Sequence, residues 1–495
     1  MRPARQRAHT ENPLSVWVQV AVLAPLTLFT IYIYQAQIVG EGYVWALNFL
    51  LPIALLAASG LYVYKAVTAQ AALFWTPAVM FGAHTMIFKG LGPLVHLFGN
   101  EDTQDKLFRY AFTISERELL GTNLLNCVAT VSVLIGISFA VKKVGVISPR
   151  SLVLFSKSQQ YDVPRIAAVF ILVGLFLRYA LVLPYQFGTI DVVIPGVLVK
   201  MSDMSVLGVA LAGYVAISKS GSRWRLIFWC LLVLQLFTSL LEFSKSAVVL
   251  SLLLPALGTY LAHRNPARLL GWLLVVVVFF GLMQPYVSYG RNSILEASGS
   301  IDNATIVERL KIASEFLSGQ GFQRVAGVTQ QQSGWLRISY AGQQAFAMSA
   351  RENGVQFDSL SNVWMSFIPR AVWPSKPITG GHGIRFYELV TGRSHSRTGI
   401  TVYADLYWNF GWAGLIASCF VLGGFFGKIS EHVYVWLSTE QFLYYPAIFV
   451  VLDMVMRGMN SWIAKGIFGA LPLFFFVLML TAMLGRVRFF RRGNA

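Results

Sequence analysis

Nine arginines and two lysines fall between Gly290 and Gly411: Arg291, Arg309, Arg324, Arg337, Arg351, Arg370, Arg385, Arg393 and Arg397, with Lys311 and Lys376. Either residue supplies positive charge. A preference for arginine points to planar, two-pronged recognition of phosphate or carboxylate. Eight acidic residues share the segment, so its net charge is only +3. This is a set of individual arginines rather than a diffuse cation cloud. The most constrained stretch is Phe367-Ile368-Pro369-Arg370-Ala371-Val372-Trp373-Pro374-Ser375-Lys376-Pro377. Three prolines and Trp373 stiffen it, hold it extended and present Arg370 and Lys376 as two cations. Arg370 suits a clamp on phosphate or carboxylate, with Lys376 and Trp373 beside it on the substrate. Contact of both cations with lipid headgroups is the competing role.

Proton acceptors for a hydroxyl nucleophile are also present. His382 lies between Gly381 and Gly383, where backbone can approach closely, and Asp405 lies further on. His395 sits between Arg393 and Arg397, which disfavour its charged form. Tyr403, Tyr407 and Trp408 offer flat faces on which a ligand ring can stack, although aromatic belts form at the same places. Earlier in the chain, Glu242 and Lys245 occupy a short hairpin between two apolar stretches. Either they neutralise each other, or Lys245 meets phosphate and Glu242 acts as a base. Arg178 falls inside an apolar stretch and needs a partner or a water-filled cavity. Arg291 directly follows another such stretch. Arg457 shares a helix face with Asp453 and either pairs with it or joins a phosphate cluster. Cys127, Cys230 and Cys419 show no disulfide or metal spacing, and no metal site is expected.

These residues need a scaffold, and composition says which. The chain has 495 residues, 56% hydrophobic and 12% charged. Soluble domains carry about 25% charged residues, so a soluble enzyme, a disordered chain and a disulfide scaffold are excluded. About twelve stretches reach the roughly 20 apolar residues that cross a bilayer as a helix. The expected fold class is all-α, a polytopic membrane helix bundle with a large, partly helical outer loop. About nine spans fill residues 1–289, the loop takes 290–411, and about three spans fill 412–495. The first stretch is read as a retained span. With the N-terminus inside, inner segments carry 19 Lys and Arg and short outer loops carry 6. That split supports the count and places both termini in the cytoplasm. The formal charge of +17 is therefore mostly topology, not a sign of nucleic acid.

Within the long segment, three stretches have helical character. Ile306, Leu310 and Leu317 form a stripe, and Trp335 to Arg351 is helix-permissive. Leu360, Val363, Trp364, Phe367 and Ile368 recur at helical spacing, with Asp358 or Ser359 as cap and Pro369 as stop. This third helix is expected along the membrane surface.

At Ile368 to Pro377, and again at Tyr403 with Asn409-Phe410-Gly411 and Gly414, the sequence resembles bacterial polysaccharide polymerases of the Wzy type, relatives of the O-antigen ligases. The family pattern is an I-P-R-x-x-W-P-x-K-P block, then Tyr-x-x-Asn-Phe-Gly-x-x-Gly before the next helix. Tyr403 lies six residues before Asn409, which departs from that spacing, and Tyr407 is nearer. An arginine followed by glycine, also described in the family, fits Arg370 and Gly381. At Arg291 the matching position holds Asp302. The resemblance implies a glycosyltransferase at the outer face of the bacterial cytoplasmic membrane. Its substrates would be oligosaccharide repeat units on undecaprenyl diphosphate, joined into O-antigen, capsule or exopolysaccharide. No nucleotide sugar, metal or other cofactor is implied. Membrane lipids, a chain-length regulator and a flippase are the implied surroundings. An O-antigen ligase and a lipid-linked oligosaccharide flippase are the alternatives.

Overall fold

The computed structural model describes residues 16–35, 40–99, 114–141, 162–190, 194–218, 222–263, 265–298, 304–319, 335–368, 373, 381–392 and 398–487. Among these residues the chain is helical, without strands. Twelve helical stretches are long and apolar enough to cross a membrane. In chain order the α-helices are α1 (Trp17–Gln35), α2 (Glu41–Ala69), α3 (Pro77–Thr85), α4 (Val95–Phe98), α5 (Glu116–Ala140), α6 (Val163–Leu175), α7 (Leu183–Gln186), α8 (Gly196–Met201), α9 (Met204–Ser218), α10 (Ser222–Leu241), α11 (Lys245–His263), α12 (Pro266–Ser298), α13 (Ile306–Leu317), α14 (Ala341–Glu352), α15 (Gly381–Thr391), α16 (Val402–Ser438), α17 (Tyr445–Met456) and α18 (Leu471–Leu484).

Apolar residues face outward along many of these helices. Leu226, Val233 and Phe237 on α10 are exposed, as are Leu270, Leu274 and Leu282 on α12. In water such stripes would drive association. In a bilayer they are the lipid-facing surface. The chain is a multi-pass membrane protein.

Contacts divide the chain into two compact units. The first holds residues 1–158, 332–439 and 447–479, and the second holds 159–331, 440–446 and 480–495. The 290–411 segment is shared between them: α13 belongs to the second unit, α14 and α15 to the first.

In the first unit α5 and α16 pack at backbone distance. A Cβ on Gly136, Gly423 or Gly427 would collide with the facing helix. Glycines at four-residue spacing permit this approach, because helices in lipid associate by close packing. The interior of α5 is also polar. Asn123 donates to Asn48 at 3.1 Å, and Asn126 and Gln344 exchange amide hydrogen bonds at 3.1 and 2.9 Å. Gln344 belongs to α14, so the helix-permissive stretch of the long segment is docked in the bundle. Its alanines at 341, 345, 347 and 350 are buried.

The stretch expected as a third helix forms only a 3-10 turn, Val363–Phe367. Asp358 accepts from the Ser361 backbone N–H and Ser359 is tied elsewhere. These side-chain bonds compete with helix at its start, and Pro369 bars it from the end. Trp364 and Phe367 are exposed. A second difference concerns α16. It begins at Val402, but Gly411 is non-helical, so the residues from Val402 to Phe410 form a helix of their own that leads into the span after the kink.

In the second unit Gly258 of α11 lies against the backbone of Ala210 in α9, and Gly174 of α6 against Ser205. The span built on α6 is interrupted by a π-helical turn, Phe176–Val182, before α7. Two other spans contain such turns: Met86–Leu91 after α3 and Ala464–Phe468 before α18. Each of the three carries one cation: Lys89, Arg178 and Lys465. π-turns free backbone groups and often mark functional places.

Candidate functional site

In the second unit, charged side chains gather at the hairpin between α10 and α11. Arg178 projects from its π-turn and places Nη2 2.5 Å from a Glu242 carboxylate oxygen. Both side chains are largely buried. Burial holds the Glu242 carboxyl above the ordinary carboxylate range, with Asp203 adding to the rise, while Arg178 and Arg309 oppose it. Arg309 of α13 is buried. Its Nε donates to the Ala304 carbonyl at 3.0 Å and its Nη1 to the Leu241 carbonyl at 3.2 Å. Its guanidinium covers the Phe187 ring at 4.9 Å. Leu241 is the last residue of α10, so Arg309 meets a carbonyl left open by the helix end, where a cation is favoured.

The hairpin backbone is strained. Phe243 has φ +47 and is not glycine. A bulky residue in that region is held there by its surroundings. Here Arg291 Nε donates to the Phe243 carbonyl at 2.8 Å, and Gly290 leaves room for its ring. Lys245 Nζ lies 3.4 Å from Ser288 Oγ. Arg178, Lys245, Arg291 and Arg309 therefore converge on one hairpin that carries one carboxylate, Glu242. Such an arrangement can neutralise an anionic group and offer it a neighbouring proton acceptor. A cavity of about 260 Å³, lined by Arg225, Trp229, His263 and Trp272, lies at the opposite end of α10 and is separate from this cluster.

In the first unit the Tyr403–Gly414 block has a structural account. Asp405 is fully buried. Its Oδ1 accepts from Ser359 Oγ at 2.5 Å and Asn409 Nδ2 at 3.0 Å, and its Oδ2 accepts from the Ile463 N–H at 2.8 Å. Gly411 has φ +68, which breaks the helix. Arg351 Nη1 takes up the Trp408 carbonyl at 2.5 Å. Gly414 leaves space for Phe410. Asp405 is thus a knot that joins three segments, and no face of it is open to solvent.

Phe357 stacks between Trp408, at 4.7 Å, and Trp462, at 5.0 Å. His382, in the first turn of α15, borders this stack at 6.0 Å from Trp462. Burial lowers the proton affinity of His382, Arg385 adds to that, and Asp358 opposes it. The neutral imidazole is the form that accepts a proton. Arg385 covers the Phe357 ring at 5.3 Å.

Tyr403 is buried, and the ammonium of Lys89 lies 5.4 Å from its ring centre. The Tyr340 ring is 5.7 Å from the same ammonium. A lysine inside a span costs on the order of 3 kcal/mol by insertion scales. A cation over an aromatic ring returns roughly 0.5–2 kcal/mol, and these distances lie near the limit of that contact. The two rings therefore offset only part of the cost.

Arg370, Lys376 and His395 lie outside the described residues. Among the others, the structure brings Glu242, Arg178, Lys245 and Arg291 together. Trp373 lies against Trp364 at 6.0 Å, and Arg457 pairs with Asp453 on one helix face. Asp405, Tyr403 and His382 fall in the first unit, the first two buried and His382 partly so. Arg309 and Arg351 are not among the expected site residues. Lys89 carried a readable signal, a cation within an apolar stretch. Arg309 and Arg351 are two arginines among nine, and only the fold distinguishes them. Among the described residues, no three metal-ligating side chains are grouped to hold an ion. No family model, curated protein or solved structure matches the chain.

Proposed function

We propose that the protein joins undecaprenyl-diphosphate-linked oligosaccharide repeat units into a surface polysaccharide. In this reading it works at the outer face of the bacterial cytoplasmic membrane, with both termini inside. One observation carries the reading: the convergence of Arg178, Lys245, Arg291 and Arg309 on the Glu242 hairpin. A sugar hydroxyl of the acceptor attacks the anomeric carbon of the donor. The bond from that carbon to the diphosphate oxygen breaks, and the lipid diphosphate leaves with the electron pair. Cations at the leaving group stabilise the developing charge. Glu242 is the carboxylate of the cluster suited to receive the hydroxyl proton. The arginine-bearing Pro-Arg-Trp-Pro-Lys-Pro block supports the same substrate class.

The interrupted spans favour a second reading, a flippase for the same lipid-linked sugar, since transporters use broken helices at their binding sites. Deleting the gene and resolving the surface polysaccharide on a gel separates the readings. A single capped repeat unit supports the polymerase. Naked core points to a ligase or a flippase, and an unchanged ladder overturns all three. Arg370→Ala, tested the same way, is expected to give the single-repeat product with the protein still in the membrane.

A further inference from the structure

The cavity of about 260 Å³ in the second unit takes no part in the proposed transfer. It lies where four helices end or begin: α9 at Ser218, α10 at Ser222, α11 at His263 and α12 at Pro266. α9 lines it with the small residues Gly213 and Ala216. Arg225 of α10, His263 of α11 and Arg268 of α12 line it from the other three helices, with Trp229 and Trp272 beside them.

The charge at this end is one-sided. From Met204 to Leu295 the chain has one acidic residue, Glu242, and that residue follows the opposite end of α10. The two chain reversals at this end carry Lys219, Arg223, Arg225, Arg264 and Arg268, with His263. On neighbouring elements, Asp162 pairs with Arg165 at 3.1 Å and Glu440 accepts from the Tyr214 hydroxyl at 2.8 Å. Neither carboxylate lines the cavity. Arg225 and Arg268 enter no ion pair among the described residues. Positive charge anywhere in these loops would satisfy the rule that fixes topology. That rule does not require arginines from two hairpins to border one cavity. Arg223 makes the contrast: it is exposed in the same first turn as Arg225 and does not line the space.

Size and surroundings narrow the ligand. The space is several times the roughly 30 Å³ that one water takes in the liquid, so it admits a phosphate group. Guanidinium groups match phosphate in charge and in shape. Apolar surface continues from the cavity along α10, where Trp229, Val233 and Phe237 are exposed at one-turn steps. A free phosphate ion gains nothing from that stripe, whereas the acyl chains of a lipid do. Basic pockets between spans take acidic lipid headgroups, and tryptophans sit at headgroup level.

We propose that Arg225, His263 and Arg268 form a site for the phosphate headgroup of an anionic phospholipid, whose acyl chains lie along Trp229, Val233 and Phe237. This inference rests on neither the transferase nor the flippase reading and survives the failure of both.

The test uses the full-length protein in detergent. Phosphatidylglycerol and phosphatidylcholine are titrated in, and retained lipid is counted by native mass spectrometry. The wild type is expected to retain phosphatidylglycerol in preference to phosphatidylcholine. A cation near the membrane surface strengthens such binding about fivefold, so Arg225→Gln with Arg268→Gln is expected to weaken it roughly thirtyfold. Arg223→Gln is expected to bind as the wild type does. Equal retention of the two lipids by the wild type overturns the site. So does a double variant that binds like the wild type, or one that loses no more than Arg223→Gln. Inorganic phosphate that raises the unfolding midpoint of delipidated protein as far as phosphatidylglycerol does overturns the lipid in favour of a free anion. If the double variant does not fold, cryo-electron microscopy of the wild type in phosphatidylglycerol nanodiscs decides the question. Headgroup density in the cavity supports the site, and a cavity without it overturns it.

Discussion

Arg178 and Glu242 form a buried ion pair, Nη2 to carboxylate oxygen 2.5 Å, between a π-turn in one span and the hairpin after another. Removing one partner leaves a buried charge uncompensated, at a cost of about 3–5 kcal/mol. Removing both leaves no such charge. Arg178→Met is therefore expected to lower the unfolding midpoint sharply, and Arg178→Met with Glu242→Leu to recover most of it. Polysaccharide formation is expected to be lost in both. Recovery of stability and polymer together in the double variant would reduce the pair to a structural tie and sink its proposed role at the diphosphate.

Gly411 tests the break in α16. Its φ of +68 strains any residue with a Cβ, and that atom would lie 2.9 Å from Arg351 Nη2. Strain of this kind costs roughly 1–3 kcal/mol. Gly411→Ala is expected to lose about that much stability, to melt earlier and to displace Arg351 from the Trp408 carbonyl. Gly424→Ala, on the same helix where a Cβ meets nothing closer than 4.0 Å, is the control expected to stay near wild type. Equal melting of the two variants would show that the break is not enforced by Gly411.

The spans were legible in sequence because twenty apolar residues have few alternatives to a membrane helix. The site was less so. Glu242 and Lys245 stood out as charges beside hydrocarbon, yet the partner of Glu242 is Arg178, 64 positions away, and periodicity carries no such pairing. The apolar spacing from Leu360 to Ile368 indicated a helix, but Ser359 is drawn to Asp405 across 46 positions and the segment turns instead. Asp405 read as a base because it is a carboxylate beside aromatics. Its burial and its donors come from tertiary contacts that leave no local mark. Lys89 is legible as a cation within an apolar stretch, but its enclosure by Tyr340 and Tyr403, distant in sequence, is not.

Asp405 is expected to be structural, and its amide variant separates that role from catalysis. Its two oxygens accept from Ser359, Asn409 and Ile463. In Asp405→Asn one oxygen becomes an NH₂ donor. It then faces either the Asn409 amide or the Ile463 N–H, both donors, and the serine alone can reverse. Leaving a buried donor unmatched costs about 1–3 kcal/mol. Stability should fall by that amount, while protein that remains folded at low temperature keeps the transfer activity proposed for it. Full stability with loss of rate would restore Asp405 as a chemical residue.

His382 gives the protein a pH dependence whose sign follows from burial. Its folded proton affinity lies below the ordinary value of 6.5, with burial as the main cause. Below pH 6.5 the unfolded chain therefore takes up the proton first, and stability rises with pH wherever the unfolded state binds more protons. The contribution is present above about pH 6.5 and is lost as pH falls through the lower, folded value. Unfolding midpoints measured from pH 7.5 down to pH 5 should decline more steeply in the wild type than in His382→Gln, which has no proton to gain at that position. Asp358 opposes the shift, so Asp358→Asn, by removing that carboxylate, should steepen the decline. Parallel profiles for wild type and His382→Gln would place the imidazole in solvent rather than against the Phe357–Trp462 stack.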